Sequence, residues 1–333
     1  MKLAVSRTEP VSAKLPAFAK LNLGLRILYK RTDGFHELRT VFQTISLADR
    51  IEVTFKRGRK TSVHIEGTPE IADNLVERAA FIVLEALSIH GEARFKLKKH
   101  IPQGAGLGGG SSDAATVLLG LPVLAGKALP MDRLQLLAAQ LGSDVPFFLH
   151  GGAALGLGRG EELYPLPDVP AARGLLVVSG IHSSTAEAYR DLSPRLTSIP
   201  LPHKLSNFQH KVWRVCAGGG PGVLSNNLAM DDNDFEAVVF DRYPELSGIK
   251  EKLQRFGARP AAMTGSGSAI FGIFSKQSQL ERAAKSFSDG TALPISFVSR
   301  AQYRSAWRRA LKLHVKGTLW PPQSPYARSL SEQ

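Results

Sequence analysis

The sequence predicts an α/β (α+β) protein built as two domains, and three observations carry that expectation. Its 333 residues, 43% of them hydrophobic, suit about two cores of ordinary domain size. Segments that alternate apolar and polar residues take turns with segments whose apolar residues recur at spacings of three and four, the marks of strand and helix. Between the two patterned halves lies PLPDVPAARG, residues 165–174, whose prolines mark a linker. The expected division is 1–168 and 169–315, with 316–333 a disordered tail.

Composition excludes several classes. No run of 18 apolar residues occurs, and MKLAVSRTEP lacks the apolar core of a signal peptide, so a cytoplasmic location without a membrane partner is expected. Cys216 is the lone cysteine, which rules out an intrachain disulfide and argues against a thiol metal site; it reads as structural. The net charge of +13 is uneven. Residues 1–60 hold 13 Lys and Arg against 5 Asp and Glu, residues 300–333 hold 7 against 1, and the middle is almost neutral.

The first element is a strand over Phe18 to Ile27, with Ala19, Leu21, Leu23, Leu25 and Ile27 on one face and Lys20, Asn22, Gly24 and Arg26 on the other. Asp33-Gly34 then signals a turn carrying Phe35 and His36, and strands follow over 40–46 and 50–55. Aromatics at such a turn are either core or a platform for a flat base, and Phe35, His36 and Phe42 are the candidates. A helix capped by Asp73 or Asn74 carries Leu75, Ala79, Ile82, Val83 and Ala86 at helical spacing. Residues 94–100 alternate as a strand, with Lys96, Lys98 and Lys99 either solvated or steering phosphates.

That strand leads into IPQGAGLGGGSSDAATVL, residues 101–118. Gly104, Gly106, Gly108, Gly109 and Gly110 let the backbone approach a ligand closely, and Ser111, Ser112 and Asp113 offer N-cap oxygens to the helix behind. Free N–H groups at such a helix start make an anion site, and a flexible Gly/Ser turn is the competing reading. No Gly-Lys-Ser/Thr closes the loop, so it is not a Walker A motif. The dinucleotide spacing is met loosely by Gly104, Gly106 and Gly109, with Asp132 and Asp144 near the expected acid.

A further helix ends at Gly142, and Asp144 follows before Val145-Pro146, where an aspartate also caps or turns. Residues 151–160 read as a strand pair reaching Glu161-Glu162. Beyond the linker come the strand GLLVVSG and a Ser/Thr-capped helix with Tyr189. Residues 193–222 read as a loop around a short amphipathic piece, and Asn226-Asn227-Leu228 as the start of helical material. A tight turn at Gly265, Ser266 and Gly267 joins two apolar strands.

Taken together, these strings resemble the GHMP kinase family (galactokinase, homoserine, mevalonate and phosphomevalonate kinases) over roughly residues 15–300. GLGGGSSDAA at 106–115 is similar to its second motif, AKLNL at 19–23 to its first, and MTGSGS at 263–268 to its third. The strings DGFH and LGSDVPFF resemble the branch that acts on a cytidine-diphosphate-linked methylerythritol. The resemblance implies an N-terminal ribosomal-protein-S5-domain-2-like ATP-binding domain, a C-terminal ferredoxin-like domain and an active site in the cleft between them. It implies that ATP meets Pro102, Gly104, Gly106, Leu107, Gly108, Gly109, Gly110, Ser111 and Ser112, with Asn74 near the adenosine and Ser112 near Mg²⁺. Asp144 would be the catalytic base, with Lys20 beside it and Asn22 facing the substrate. Phe35, His36, Phe42 and Tyr189 would hold the base, and Gly265, Ser266 and Gly267 would lie at the reacting ends. Two departures stand out: Phe18 replaces a frequent proline, and Phe35 replaces a tyrosine, which removes any hydroxyl contact.

No set of His, Cys and carboxylates has ligand spacing, so Mg²⁺ is expected to arrive with ATP. At the end of the chain, Tyr303 to Lys316 sets Arg304, Arg308, Lys312 and Lys316 at steps of four, opposite Tyr303, Trp307, Ala310 and Leu311. Docking of that apolar face on its own domain is one reading. Binding to nucleic acid or anionic lipid is the other.

Overall fold

The computed structural model describes residues 9–67, 74–168, 171–198, 201–216, 232–288 and 290–325. Strand β1 (Val11–Lys30) and strand β2 (His36–Arg57) form one long antiparallel hairpin, closed by a turn in which the Asp33 carboxylate accepts from the Phe35 amide at 3.1 Å. The two short strands expected over 40–55 are therefore one. Register shifts near Phe18, Asn22 and Ile27 re-aim the side chains of β1, as bulges do. Strand β4 (Gly91–Lys98) pairs with the far half of β2 and, in parallel, with β3 (Ser62–Glu66). Strand β5 (Ala153–Leu157) pairs with the near half, and β6 (Glu162–Pro165) follows it.

Helices α1 (Leu75–Ala86), α2 (Gly109–Leu124), α3 (Met131–Leu141) and the short α4 (Val145–Phe148) accompany this sheet. Helix α2 is buried on nearly every side, which its uniformly apolar sequence requires. A Cβ on Gly120 would stand 2.3 Å from Leu15, so only glycine lets α2 and β1 approach this closely.

The second half runs β7 (Arg173–Val177), α5 (Thr185–Leu192), a 3₁₀ turn over Ser193–Ser198, α6 (Leu201–Cys216), α7 (Glu236–Arg242), α8 (Pro244–Arg255), β8 (Ala261–Met263), β9 (Ile270–Phe274), α9 (Gln277–Lys285) and β10 (Ala292–Ser296). Its four strands are all antiparallel in the order β10-β7-β9-β8. That is the split βαβ arrangement of a ferredoxin-like domain. Residues 193–222, expected as a loop around a short amphipathic piece, hold in their described part the longer, 16-residue α6, seated by Phe208 and by Lys204, whose ammonium reaches the Ile27 carbonyl at 3.2 Å. The Cys216 side chain, Asp73, the AGGGPG run and Asn226-Asn227-Leu228 lie outside the described residues.

Helix α10 (Arg300–Ala310), opened by a Ser299–Gln302 capping box, returns to the first half. Tyr303, Trp307 and Leu311 are buried in the same core as Leu15, Val117 and Phe148. The expected disorder from residue 316 is corrected over the described part. Trp320 packs edge-on to Trp307 and Tyr303, and its indole N–H donates to the Leu149 carbonyl at 2.9 Å. Among the described residues no helix is long and apolar enough to cross a membrane.

Candidate active site

The loop between β4 and α2 stands where β1 crosses it. Lys20 N–H donates to the Leu107 carbonyl at 3.0 Å, and the Ser112 hydroxyl donates to the Phe18 carbonyl at 2.7 Å. Helix α2 begins after Gly108, whose φ of +70° is left-handed, and no side chain caps it. The expected capping by Ser111, Ser112 and Asp113 is thus corrected. Ser112 bonds β1, Asp113 bonds Lys99, and the first-turn N–H groups of α2 are left for a ligand.

A cavity of about 390 Å³ opens over these groups. Asn74, Pro102 and residues 104–111 line it, together with Lys99 and Asp113. Asn74 also caps α1, accepting from the Val76 amide at 3.0 Å. Ser112 is buried and anchors the helix to β1 through the Phe18 carbonyl.

Lys99, expected to be either solvated or steering phosphates, lines the cavity and is held by two carboxylates. Its ammonium lies 2.5 Å from both the Asp49 and the Asp113 carboxylates. Asp49, on β2, also accepts from the amides of His100 and Ile101, at 2.5 and 2.8 Å. Burial, reinforced by the neighbouring Asp49 charge, raises the Asp113 carboxyl to about 7 against the pull of Lys99.

At the other end of the loop, Lys20 is buried, with its ammonium 3.2 Å from Asp144 Oδ2 and 2.6 Å from Asn22 Oδ1. Asn22 Nδ2 donates to Thr40 Oγ1 at 2.9 Å, and that hydroxyl donates to the Gly24 carbonyl at 2.9 Å, so the amide's orientation is set. Asp144 stands at the N-terminus of α4 without capping it, and its side chain keeps about a third of its exposure. Phe42, a candidate for base stacking, is 2% exposed beneath Lys20 and against Phe147, with ring centroids 5.0 Å apart. It packs the floor and cannot stack a base.

The third loop closes the crevice from the ferredoxin-like side. A Cβ on Gly106 would lie 2.1 Å from the Thr264 carbonyl oxygen, and one on Gly265 would lie 3.0 Å from the Gly106 carbonyl oxygen. Thr264, in the third string just before the Gly265–Gly267 turn, accepts from the Asn22 amide at 3.1 Å and donates to the Gly106 carbonyl at 3.3 Å, so it joins all three strings. Ser266 meets Thr185 at 2.7 Å, and its carbonyl accepts from Ser183 at 3.0 Å. Gly267 completes the turn with φ +92°.

His36 and Tyr189 stack on each other, 4.6 Å apart and 20° from parallel. His36 Nε2 meets Ser193 Oγ at 3.0 Å, and Ser193 donates its one hydrogen to the Tyr189 carbonyl at 2.8 Å. The imidazole must therefore donate from Nε2, which leaves Nδ1 as an acceptor. Burial and the nearby Lys30 hold its pKa below the ordinary histidine value, favouring this neutral form. Burial and the Asp144 charge push the Tyr189 hydroxyl up to about 12, which puts Tyr189 within electrostatic reach of the pair at Lys20. Phe35, about half exposed, carries the Arg159 guanidinium 4.6 Å over its ring.

A glycine cradle, a Lys–Asp pair at its mouth and a second domain closing over both define a small-molecule kinase, and the chain belongs to the GHMP kinase family. The family models GHMP kinases N terminal domain and GHMP kinases C terminal match residues 74–152 and 217–290. The chain is similar to the 4-diphosphocytidyl-2-C-methyl-D-erythritol kinase of Solibacter usitatus (strain Ellin6076), 52% identical with 94% of this chain and 98% of that protein covered. It is 42% identical to the kinase of the same name from Moorella thermoacetica, over 78% and 89% of the two chains. A solved 4-(cytidine 5'-diphospho)-2C-methyl-D-erythritol kinase superposes with a TM-score of 0.69 at 35% identity, over 85% and 98%. The homoserine kinase of Cytophaga hutchinsonii, at 20% identity and a TM-score of 0.65 over 89% and 96%, shares the fold.

Proposed function

We infer that this chain transfers the terminal phosphoryl group of ATP to the 2-hydroxyl of 4-diphosphocytidyl-2-C-methyl-D-erythritol, giving the 2-phosphate and ADP in the non-mevalonate route to isoprenoid precursors. The observation that carries the reading is the Lys20–Asp144 pair, 3.2 Å apart, where β1 meets the start of α2. Asp144 is the exposed oxygen base of the crevice and takes the alcohol proton as the hydroxyl attacks. Lys20, fixed by Asn22, sets a positive charge beside the transferred group. The first-turn amides of α2 hold the triphosphate, and glycines 106 and 108 let the loop close against the Thr264 carbonyl and the Phe148 ring, where a Cβ would collide. Such a reaction depends on positioning and on stabilising charge spread over the phosphoryl oxygens.

Mg²⁺, arriving with ATP, supplies charge neutralisation. Among the described residues no three His, Cys, Asp or Glu side chains form a cage for it, so any protein oxygen it meets would be a single group at the mouth of the cradle such as Asp144. For the base, His36 Nδ1 is a bare acceptor beside the Tyr189 ring, and it suits the exocyclic amine of cytosine. Phe35 supplies an apolar face without a hydroxyl.

The test is ADP release from Mg·ATP with this substrate, run beside Asp144→Asn. Release by the parent and its collapse in the variant are expected. Release with some other alcohol and none with the cytidine substrate would overturn the substrate, and equal rates in the two proteins would overturn the base.

A further inference from the structure

Basic residues from the two ends of the chain, Lys14 and Arg50 on one side and Arg309 on the other, meet at a groove that shares no lining residue with the glycine cradle. There, α10 packs on β1 and leaves, beside β2 and β4, a groove of about 490 Å³. Lys14, Arg50, Lys96, Lys98 and Arg309 line it, with Glu52 as their only acid. Glu52 is taken by Lys14 at 3.6 Å. Among the described residues the other four cations have no carboxylate within ion-pair distance.

Arg50 and Lys98 are cross-strand partners, and like charges in that position destabilise a sheet. Four unpaired cations gathered in one concavity are a cost that a bound anion would remove. Beneath the rim the floor is apolar: Leu15 and Pro16 on β1, Ala306 and Ala310 on α10. A ligand matching both parts has clustered negative charge at one end and a short hydrocarbon at the other. An alkyl diphosphate, with three ionisable oxygens, carries about −2 to −3 at neutral pH and offsets most of the charge of the four cations.

We propose that this groove is a second binding site, for a soluble alkyl diphosphate. An extended nucleic acid fits less well, because the basic stripe does not continue along α10. Arg304 is turned onto the Trp320 ring at 5.4 Å, and Arg308 donates to the Thr318 carbonyl at 3.0 Å. The site is independent of the kinase reading. The groove and the nucleotide cavity share strands, however. Side chains alternate along β2, so Arg50 serves the groove while its neighbour Asp49 holds Lys99, which lines the cavity just past the end of β4.

The test is calorimetric titration of the full chain with n-pentyl diphosphate, with Mg²⁺ and a non-hydrolysable ATP analogue keeping the nucleotide cavity filled. Saturable one-to-one binding is expected. Affinity falls about tenfold or more in Lys98→Gln and in Arg309→Gln, the loss of one charge-assisted contact. Inorganic diphosphate binds more weakly, by about fourfold for each methylene the floor would have seated. Without ligand, Lys98→Gln melts no lower than the parent, since it removes a like-charge neighbour; its loss of affinity is then not a loss of fold. Absence of saturable binding, unchanged affinity in both variants, displacement by the ATP analogue, or equal binding of duplex RNA or of phosphatidic acid vesicles would each overturn the proposal.

Discussion

The hydroxyl of Tyr303 donates to the backbone carbonyl of Phe148, and by this bond α10 holds the segment that carries Asp144. The ring also fills the space against Gly151, where a Cβ would stand 2.3 Å away. Tyr303→Phe keeps the packing and removes the bond, leaving a buried carbonyl short of a partner. Denaturant melts should show a loss of about 1–3 kcal/mol. Because α4 bears Asp144, kcat should fall as well, with KM for ATP nearly unchanged. A drop in stability with kcat intact would mean that α10 supports the fold but not the catalytic aspartate.

Lys20 and Asp144 act as a pair, so their removal should not add. Asp144→Asn removes the proton acceptor, and Lys20→Met removes the charge beside the transferred phosphoryl group; each should cost about 10² to 10⁴ in kcat. The double variant should be close to the worse single one, because groups that serve one step are not independent. Rates from single-turnover assays decide it: multiplicative losses would show that the two residues serve separate steps.

What was legible from the chain, and what was not, follows from the range of the interactions. Strand β1, helices α1 and α3 and the glycine loop announce themselves because each is set by spacing and turn chemistry within about a dozen residues. Asp144 was ambiguous locally, since aspartate before Val-Pro also caps. Only the position of Lys20, brought over by β1, shows what the carboxylate faces. Phe42 misled for the same reason: an aromatic near a turn reads alike whether Phe147 lies beneath it or solvent does. Lys99 with Asp49, Thr264 with Asn22, and Trp320 with Leu149 carry no local pattern, because each joins segments fifty or more residues apart.

Asp113 shares Lys99 with Asp49 and is largely buried beside it. Its carboxyl is raised to about 7 from 3.8, so the folded protein holds the proton more tightly than the unfolded chain. The stability it contributes is complete below about 3.8 and is lost as pH rises through about 7. Asp113→Asn has nothing to titrate there. Urea melts at about pH 5 and about pH 8 should therefore show the variant gaining on the parent as pH rises. Since Lys99 lines the nucleotide cavity, KM for ATP should also rise across neutral pH in the parent and stay flatter in the variant. Parallel stability curves would place the charge on Asp113 throughout.

Gly106 sits where two loops touch. Its φ of +76° is left-handed, and a Cβ would lie 2.1 Å from the Thr264 carbonyl oxygen. Gly106→Ala must push the glycine loop off the third loop, which moves the first turn of α2 away from Thr264 and Asn22. KM for ATP should rise about tenfold or more, with a stability loss of about 1–3 kcal/mol from the strained backbone. Gly110→Ala is the control, since its Cβ would meet nothing nearer than Leu75 at 3.8 Å. A Gly106 variant that bound ATP normally would show that the two loops need not touch.

Arg159 is the residue that the Phe35 reading left out. Its guanidinium lies 4.6 Å over the Phe35 ring and is braced by Glu161 at 3.1 Å, so one face of the ring is already covered. A planar cytosine must then use the other face or displace the arginine. If Arg159 clamps the ring in place, Arg159→Ala frees Phe35 and KM for the cytidine substrate rises, as it does in Phe35→Ala, with kcat little changed in both. If the arginine instead occupies the place of the base, Arg159→Ala lowers KM while Phe35→Ala still raises it. The clamp is the expected outcome, because Phe35 stands about half exposed on a turn and Arg159 is its one cation–π partner among the described residues. A double variant with the KM of Phe35→Ala alone would confirm that the arginine acts through the ring.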